Sequence, residues 1–248
     1  REEVTLWRES EVLLGALKNF GKVSGGMSFD VHHTYDPLNQ TIYLGDGTVS
    51  KAGSFSETIK TVGKFEGIPN KLAFGIDGSL YISLVGLNGA RVYRMEPDGK
   101  LSIFAGMEGQ DWSGDGGPAV EAVLDTVSGL AVSKDGSVYI ADEFSDRVRK
   151  VSPDGIIRTV AGGGAEEITT TPVLGTLAKL QSCRDLATDD VGGVYILEHV
   201  GSKVYYLDAE EKISLVAGGG KKVPNEFGVL PLEADLSNLS ALRIAPDG

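Results

Sequence analysis

The sequence predicts an all-β fold, a β-propeller of four-stranded antiparallel blades forming part of a ring. Three observations carry this reading. First, one segment recurs in register at a nearly constant step. Leu72-Ala73-Phe74, Leu130-Ala131-Val132 and Leu186-Ala187-Thr188 are separated by 130 − 72 = 58 and 186 − 130 = 56 positions, and Leu242 stands 56 further on. Tyr81, Tyr139 and Tyr195 keep the same two steps, and the Ala-Gly pairs 105–106, 161–162 and 217–218 are spaced by 56. A fixed period of this kind marks a supersecondary unit that buries its apolar face by stacking on its neighbours. Second, each copy alternates β-branched and aromatic runs with Asp-Gly or Pro-Asp-Gly turns. Third, no window of helical length carries the amphipathic period that a parallel α/β arrangement needs.

Taken in order, residues 1–28 read as the end of a preceding strand-rich domain or a linker, with Val4-Thr5-Leu6-Trp7 and Val12-Leu13-Leu14 as short strands. Residues 29–248 form the propeller. A divergent first copy spans Tyr35 to Gly63, where Tyr43 sits 38 before Tyr81 and Asp36-Pro37-Leu38-Asn39 is the turn. The middle copy shows the unit most clearly. Gly129-Leu130-Ala131-Val132 is a short apolar strand, and Lys134-Asp135-Gly136 reverses the chain. Ser137 to Asp142 has the composition of a half-buried strand. Arg147-Val148-Arg149-Lys150-Val151 alternates, which sets Val148 opposite Arg147 and Arg149. Ser152-Pro153-Asp154-Gly155 is a strong turn, because proline fixes φ and glycine accepts positive φ. Ile156 to Gly162 closes the unit, giving four strands in a meander, the blade of a propeller. The last full copy replaces its turns with Gly192-Gly193 and Ala209-Glu210-Glu211.

Between copies the chain runs from Gly106 to Leu130, Gly162 to Leu186 and Gly218 to Leu242, 24 positions each time. Connections so long and so equal are expected to be ordered. Pro118 to Leu124 and Leu230 to Leu236 each suit a helical turn. Meander topology is expected to place residues 107–128, 163–184 and 219–240 on one face, with the loops between second and third strands, leaving the Asp-Gly turns on the other. Ala245-Pro246-Asp247-Gly248 aligns with Ser133 to Gly136, so the ring is expected to continue beyond residue 248.

Composition narrows the function classes. At 248 residues and 41% hydrophobic, the chain can bury a substantial core without splitting into domains. The net charge of −12 argues against nucleic acid, whose phosphates require a basic stripe. Arg147, Arg149 and Lys150 read as a solvated rim among abundant carboxylates. No apolar run reaches eighteen residues, so direct membrane insertion is not expected. The single cysteine, Cys183, cannot form an intrachain disulfide and reads as a small buried hydrophobe.

The order Gly-Leu-Ala-Val, Asp-Gly, Val-Tyr-Ile-Ala-Asp, Arg-Val-Arg-Lys-Val, Asp-Gly, Thr-Val-Ala-Gly across residues 129–162 resembles the NHL repeat. Trp112-Ser113-Gly114-Asp115-Gly116-Gly117-Pro118-Ala119 resembles the glycine-rich run that often precedes such repeats in bacterial and teneurin-type propellers. His32-His33-Thr34-Tyr35-Asp36, Ile42 to Gly47 and Leu72 to Tyr81 are similar to the join into the NHL propeller of teneurins and bacterial YD-repeat (RHS-type) relatives. The resemblance covers about residues 29–248. One departure is the single cysteine, where animal teneurins carry several, and it favours a prokaryotic or otherwise distant relative. The resemblance implies a non-catalytic scaffold and recognition module of a large secreted or cell-surface protein. It would sit beside a β-shell that encloses a C-terminal toxin or peptide, with neighbouring domains and a protein or cell-surface receptor as partners.

The alternative is a propeller enzyme, a metal-dependent lyase or lactonase with its site in the central channel. The residues give this reading little to work with. His32 and His33 are adjacent, so on a strand they would face opposite sides, and His199 has no visible partner. Asp111-Trp112-Ser113-Gly114-Asp115-Gly116 lacks the spacing and terminal Glu of a calcium loop and reads as a turn with Trp112 packed on the repeat edge. Asp189-Asp190 reads as solvated. The Gly162-Gly163-Gly164 and Gly218-Gly219-Gly220 runs lack the Lys-Ser/Thr of a phosphate loop. The innermost strands offer the small apolar pairs Leu72-Ala73, Leu130-Ala131 and Leu186-Ala187. No catalytic residue, cofactor-binding residue, metal ligand or cofactor is therefore assigned.

Overall fold

The middle copy folds as its residues dictate. β9 (Val127–Val132), β10 (Val138–Asp142), β11 (Arg147–Val151) and β12 (Ile157–Gly162) form one antiparallel sheet in chain order. The computed structural model describes residues 32–36, 41–45, 48–52, 60–64, 68–86, 88–109, 111–222, 229–237, 239 and 241–244. Earlier in the chain, β1 (His32–Asp36), β2 (Thr41–Gly45), β3 (Thr48–Ala52) and β4 (Lys60–Lys64) make a first four-stranded meander. The divergent copy is thus a blade. β5 (Ile68–Phe74), β6 (Leu80–Gly86), β7 (Gly89–Met95) and β8 (Leu101–Ala105) make the second. The fourth blade contains β14 (Cys183–Thr188), β15 (Val194–Glu198), β16 (Lys203–Leu207) and β17 (Lys212–Gly218), with the two-residue β13 (Val173–Leu174) added outside β17. The described residues contain no α-helix, only 3-10 turns.

The first strands converge. β1 lies against β5, β5 against β9, and β9 against β14, the arrangement of inner strands around a propeller axis. Two apolar clusters each span a blade boundary. One joins Tyr81 of the second blade to Leu130 and Ile140 of the third, and the other joins Tyr139 of the third to Leu186 and Ile196 of the fourth. Neither blade face would be buried alone, and stacking supplies the hydrophobic stabilisation. Ala122, Leu124, Ala178 and Leu180 from the connections complete these clusters.

Turn chemistry explains the meander. Asp77 and Asp135 each accept the backbone N–H two residues on, from Ser79 at 3.0 Å and Ser137 at 2.9 Å. In the fourth blade Asp189 takes this role from further upstream, accepting from Val191 N at 3.0 Å, Gly193 N at 2.6 Å and the Tyr206 hydroxyl at 2.8 Å. The sequence expectation of a solvated Asp189 is thereby corrected, while the neighbouring Asp190 is exposed and pairs with Lys134 at 2.8 Å. For Asp77, Asp135 and Asp189, partial burial pushes the carboxyl pKa up, but the accepted hydrogen bonds outweigh it and hold each below the usual range. Glu211 (φ 60°) stands where the second and third blades have Gly99 (φ 89°) and Gly155 (φ 83°), so the last turn keeps its backbone without its glycine.

The long connections are ordered and repeat their own geometry. Single 3-10 turns fall at Ala119–Glu121, Gly175–Leu177 and Pro231–Glu233, each one repeat period from the next. Gly164 N donates to Ala178 O and Gly220 N to Ala234 O, both at 3.1 Å. The expectation that these segments lie together on one face is corrected. Ala119 N donates at 2.8 Å to Gly155 O, and Gly175 N at 2.8 Å to Glu211 O, in the turns assigned to the opposite face. The connections therefore travel along the outer rim, where the last strand of each blade would otherwise leave backbone groups unpaired. Leu239, Leu242 and Ile244 are half-buried, and residues 241–244 do not form a strand. The readings of residues 1–28 and 245–248 fall outside the described residues.

Candidate interaction surface

Each of the second strands β10 and β15 ends in a buried acid that holds a connection in place. Asp142 accepts from Asp125 N at 3.0 Å, and Glu198, its counterpart in the next blade, accepts from Gln181 N at 2.9 Å. Their side-chain partners differ in concert. Arg149 lies beside Asp142 with 3.8 Å between Nη1 and Oδ2, whereas its counterpart Tyr205 donates its hydroxyl to Glu198 at 3.0 Å. Arg149 is fully buried, not part of a solvated rim. Its Nη2 and Nε reach Asp115 at 2.6 and 3.0 Å, and Nη2 also donates to Ser113 O at 3.1 Å. Asp115, in the run that superficially suggests a calcium loop, is thus used as the buried guanidinium's counter-ion. The Arg147 guanidinium lies over the Trp112 ring, its central carbon 3.7 Å from the ring centre.

Burial pushes the Asp142 and Glu198 carboxyls above their ordinary values, against the hydrogen bonds that favour ionisation. For a carboxylate raised in the fold, the ionised form is penalised. The cost is absent below the ordinary value of 4.5 for Glu198 and complete above its folded pKa. Glu198→Gln is therefore expected to gain in melting temperature relative to the parent as pH rises from 4 to 7. Thermal melts across that range check this, and a gain in the opposite direction would show that hydrogen bonding dominates.

In the third and fourth blades the loop between second and third strands ends in an exposed apolar tip, and that of the third is locked to the fourth blade. Ser182 donates its hydroxyl to Glu143 and its N–H to Asp146, both at 2.7 Å, which ties the fourth blade to the third. Phe144 is 71% exposed, and Val200, its counterpart in the next blade, is 64% exposed. His199 is exposed beside Val200. His32 and His33 are consecutive residues of β1, and their side chains lie outside the described part of the molecule.

The inner strands are less apolar than their Leu-Ala pairs suggest. Asp185 is buried on β14 and meets Lys71 of β5 at 3.4 Å, Arg243 at 3.1 Å and Leu242 N at 2.9 Å. A side chain at Gly129 would come within 3.0 Å of the Asp185 backbone, so β9 approaches β14 closely there. Asn70 and Ser128, at equivalent positions, each donate to the carbonyl that opens the next blade, Val127 O at 2.8 Å and Cys183 O at 2.6 Å. Cys183 is buried, and burial beside Glu198 pushes its thiol well above the ordinary range. Sequence reasoning misses these polar inner contacts. The signal available is that Lys71, Gly129 and Asp185 share one position of the repeat.

Comparisons with known proteins agree with this architecture. A family profile described as the Teneurin NHL domain matches residues 106–176. Teneurin-3 of Mus musculus is 24% identical over 305 residues, covering 87% of this chain and 11% of its own. The chain thus spans about a tenth of the length of the curated relatives it matches. Among solved structures, a Bacteroides thetaiotaomicron protein of unknown function aligns with a TM-score of 0.56 and 22% identity, over 74% of this chain and 46% of its own. A Xanthomonas campestris gluconolactonase aligns with a TM-score of 0.51 and 17% identity, over 74% of this chain and 60% of its own. At such identities these structures show the fold alone. The chain carries an NHL-type segment that resembles teneurins, in a β-propeller.

Proposed function

We propose that this is a non-catalytic propeller module of a large secreted or cell-surface YD/RHS-repeat protein, a scaffold that recognises protein through its loop face. The observation that carries this reading is the pair Phe144 and Val200, large apolar side chains left exposed at the same loop of successive blades. The Phe144 loop is pinned by Ser182 through Glu143 and Asp146, and the Val200 loop is tied by His199 N donating to Ser182 O at 3.1 Å, so both tips are held in place. Binding usually lives on loops held in this way, and a few buried anchor side chains supply most of an interface's energy. Neighbouring domains of the same polypeptide, a β-shell enclosing a C-terminal toxin or peptide, and a receptor on another cell are the partners the resemblance implies. The inner carboxylate Asp185 is engaged by Lys71 and Arg243, which suits a structural clasp.

The test uses the full natural polypeptide displayed on cells. Phe144→Asp together with Val200→Asp is expected to weaken cell-to-cell adhesion at least tenfold, about 1.4 kcal/mol or more, with the melting temperature unchanged. Undiminished adhesion would remove the loop face from the interaction. Turnover of a sugar lactone that is lost in Asp185→Asn would favour the enzyme reading instead.

A further inference from the structure

We infer that the outer edge of β8 is a strand-addition site, open to an extended, uncharged segment of a partner protein. This surface is separate from the loop face and goes beyond the recognition role proposed for it.

The third and fourth blades show what an outer edge in this molecule receives. In the third, Ile157 N donates to Gly117 O at 3.0 Å, and Ile157 O accepts from Gly116 N at 2.8 Å. In the fourth, β13 pairs antiparallel with β17, and Leu215 N donates to Thr169 O at 2.7 Å. Each covering segment is the connection that precedes the blade. Those connections occupy residues 106–126 and 163–182, but β4 and β5 are joined by residues 65–67 alone. Three residues extend roughly 10 Å and cannot both join two blades and line an outer strand.

The consequence is visible at the equivalent positions. Ile157 and Ile213 are 0% exposed, whereas Leu101, at the same position of the preceding blade, is 41% exposed and Ile103 is 43% exposed. Among the described residues only the upper end of β8 is dressed, where Gly106 N and Met107 N donate to Ala119 O and Ala122 O at 3.0 and 2.8 Å. By register, the outward backbone groups of Leu101 match those that Ile157 spends on Gly116 and Gly117, and the N–H of Ile103 matches that of Leu215.

Exposed edges are normally blunted by charge, proline or a covering segment, and Leu101-Ser102-Ile103-Phe104-Ala105 has no charge and no proline. The sister edges indicate the occupant's chemistry, since Gly116-Gly117-Pro118 and Thr169 to Leu174 are uncharged and hydrogen-bond along their strands. A partner laid along β8 would gain main-chain hydrogen bonds and cover Leu101 and Ile103. A net charge of −12 on each copy opposes self-pairing and favours a different protein as the source.

Amide hydrogen exchange on the full chain, with and without millimolar peptide of the sequence Thr169–Gly175, tests this. In free protein the Leu101 and Ile103 amides are expected to exchange at least 100-fold faster than those of Ile157 and Ile213. The peptide should slow Leu101 and Ile103 at least tenfold, and a version with aspartate in place of its threonines should not. Ile103→Lys should abolish the effect, and Leu101→Lys provides the same test should Ile103→Lys fail to fold. Phe144→Asp with Val200→Asp should leave it intact, which separates this site from the loop face. Equal protection of Leu101 and Ile157 in free, dilute protein would overturn the inference. So would protection that rises with protein concentration alone, or a peptide without effect.

Discussion

Replacing Arg149 by leucine is expected to destabilise the protein by about 3–5 kcal/mol, the usual cost of removing one partner from a buried ion pair. For a chain of this size that corresponds to a fall in melting temperature on the order of 10 °C. Arg149 is fully buried and bridges the connection at Ser113 and Asp115 to the blade at Asp142. Its loss leaves two unequal carboxylates. Asp115 is partly exposed and can hydrate, but Asp142 is fully buried and already raised by burial. Without the guanidinium the Asp142 pKa must rise further. The deficit should therefore be largest at neutral pH and shrink as pH falls towards the ordinary carboxylate value. Arg149→Leu combined with Asp142→Asn should recover part of the loss, since no unpaired buried charge remains. Denaturant titrations of the two single variants and the double check this. A loss below about 1 kcal/mol for Arg149→Leu would mean that water replaces the guanidinium.

That cluster shows where sequence reasoning stops. The repeat period exposes the second, third and fourth blades, because a stacked unit must place the same apolar residues at the same step, while the first is legible only as a divergent copy off that step. The Asp-Gly turns are legible because their backbone requires those residues. Arg149 looks like one of three alternating bases on a rim, since nothing in a linear pattern shows that Asp115, far back in the preceding connection, folds in to meet it. Asp185 is missed for the same reason, as its partner Lys71 lies on the inner strand of another blade. The rim path of the connections is also hidden. Meander topology fixes where a connection starts and ends, but the unpaired edge of the next outer strand decides where its middle goes. Phe144 and Val200 can be found, because both fall in the same loop of their copies and neither has a structural reason to be large and apolar.

Gly162→Ala is expected to be strongly damaging for the addition of a single methyl group. The Ala-Gly pairs that mark the repeat end at Gly106, Gly162 and Gly218, with φ of 94°, 86° and 85°. A left-handed conformation alone costs a non-glycine residue about 1–3 kcal/mol. At these three positions an added Cβ also runs into a backbone carbonyl at the start of the third strand, that of Ala90, Asp146 or Ser202. The carbonyl is part of the main chain and cannot turn aside, so β11 and β12 must separate. Overpacking of this kind adds about 1–3 kcal/mol. Gly155→Ala is the matched control, because Gly155 has φ 83° but no atom within 4 Å of the new methyl group. The fourth blade already tolerates Glu211 at that turn. Gly155→Ala should therefore cost only the backbone component, and the gap between the two variants in urea unfolding measures the close approach of the strands. Equal losses at the two positions would show that the Ala-Gly signature is required by backbone conformation alone.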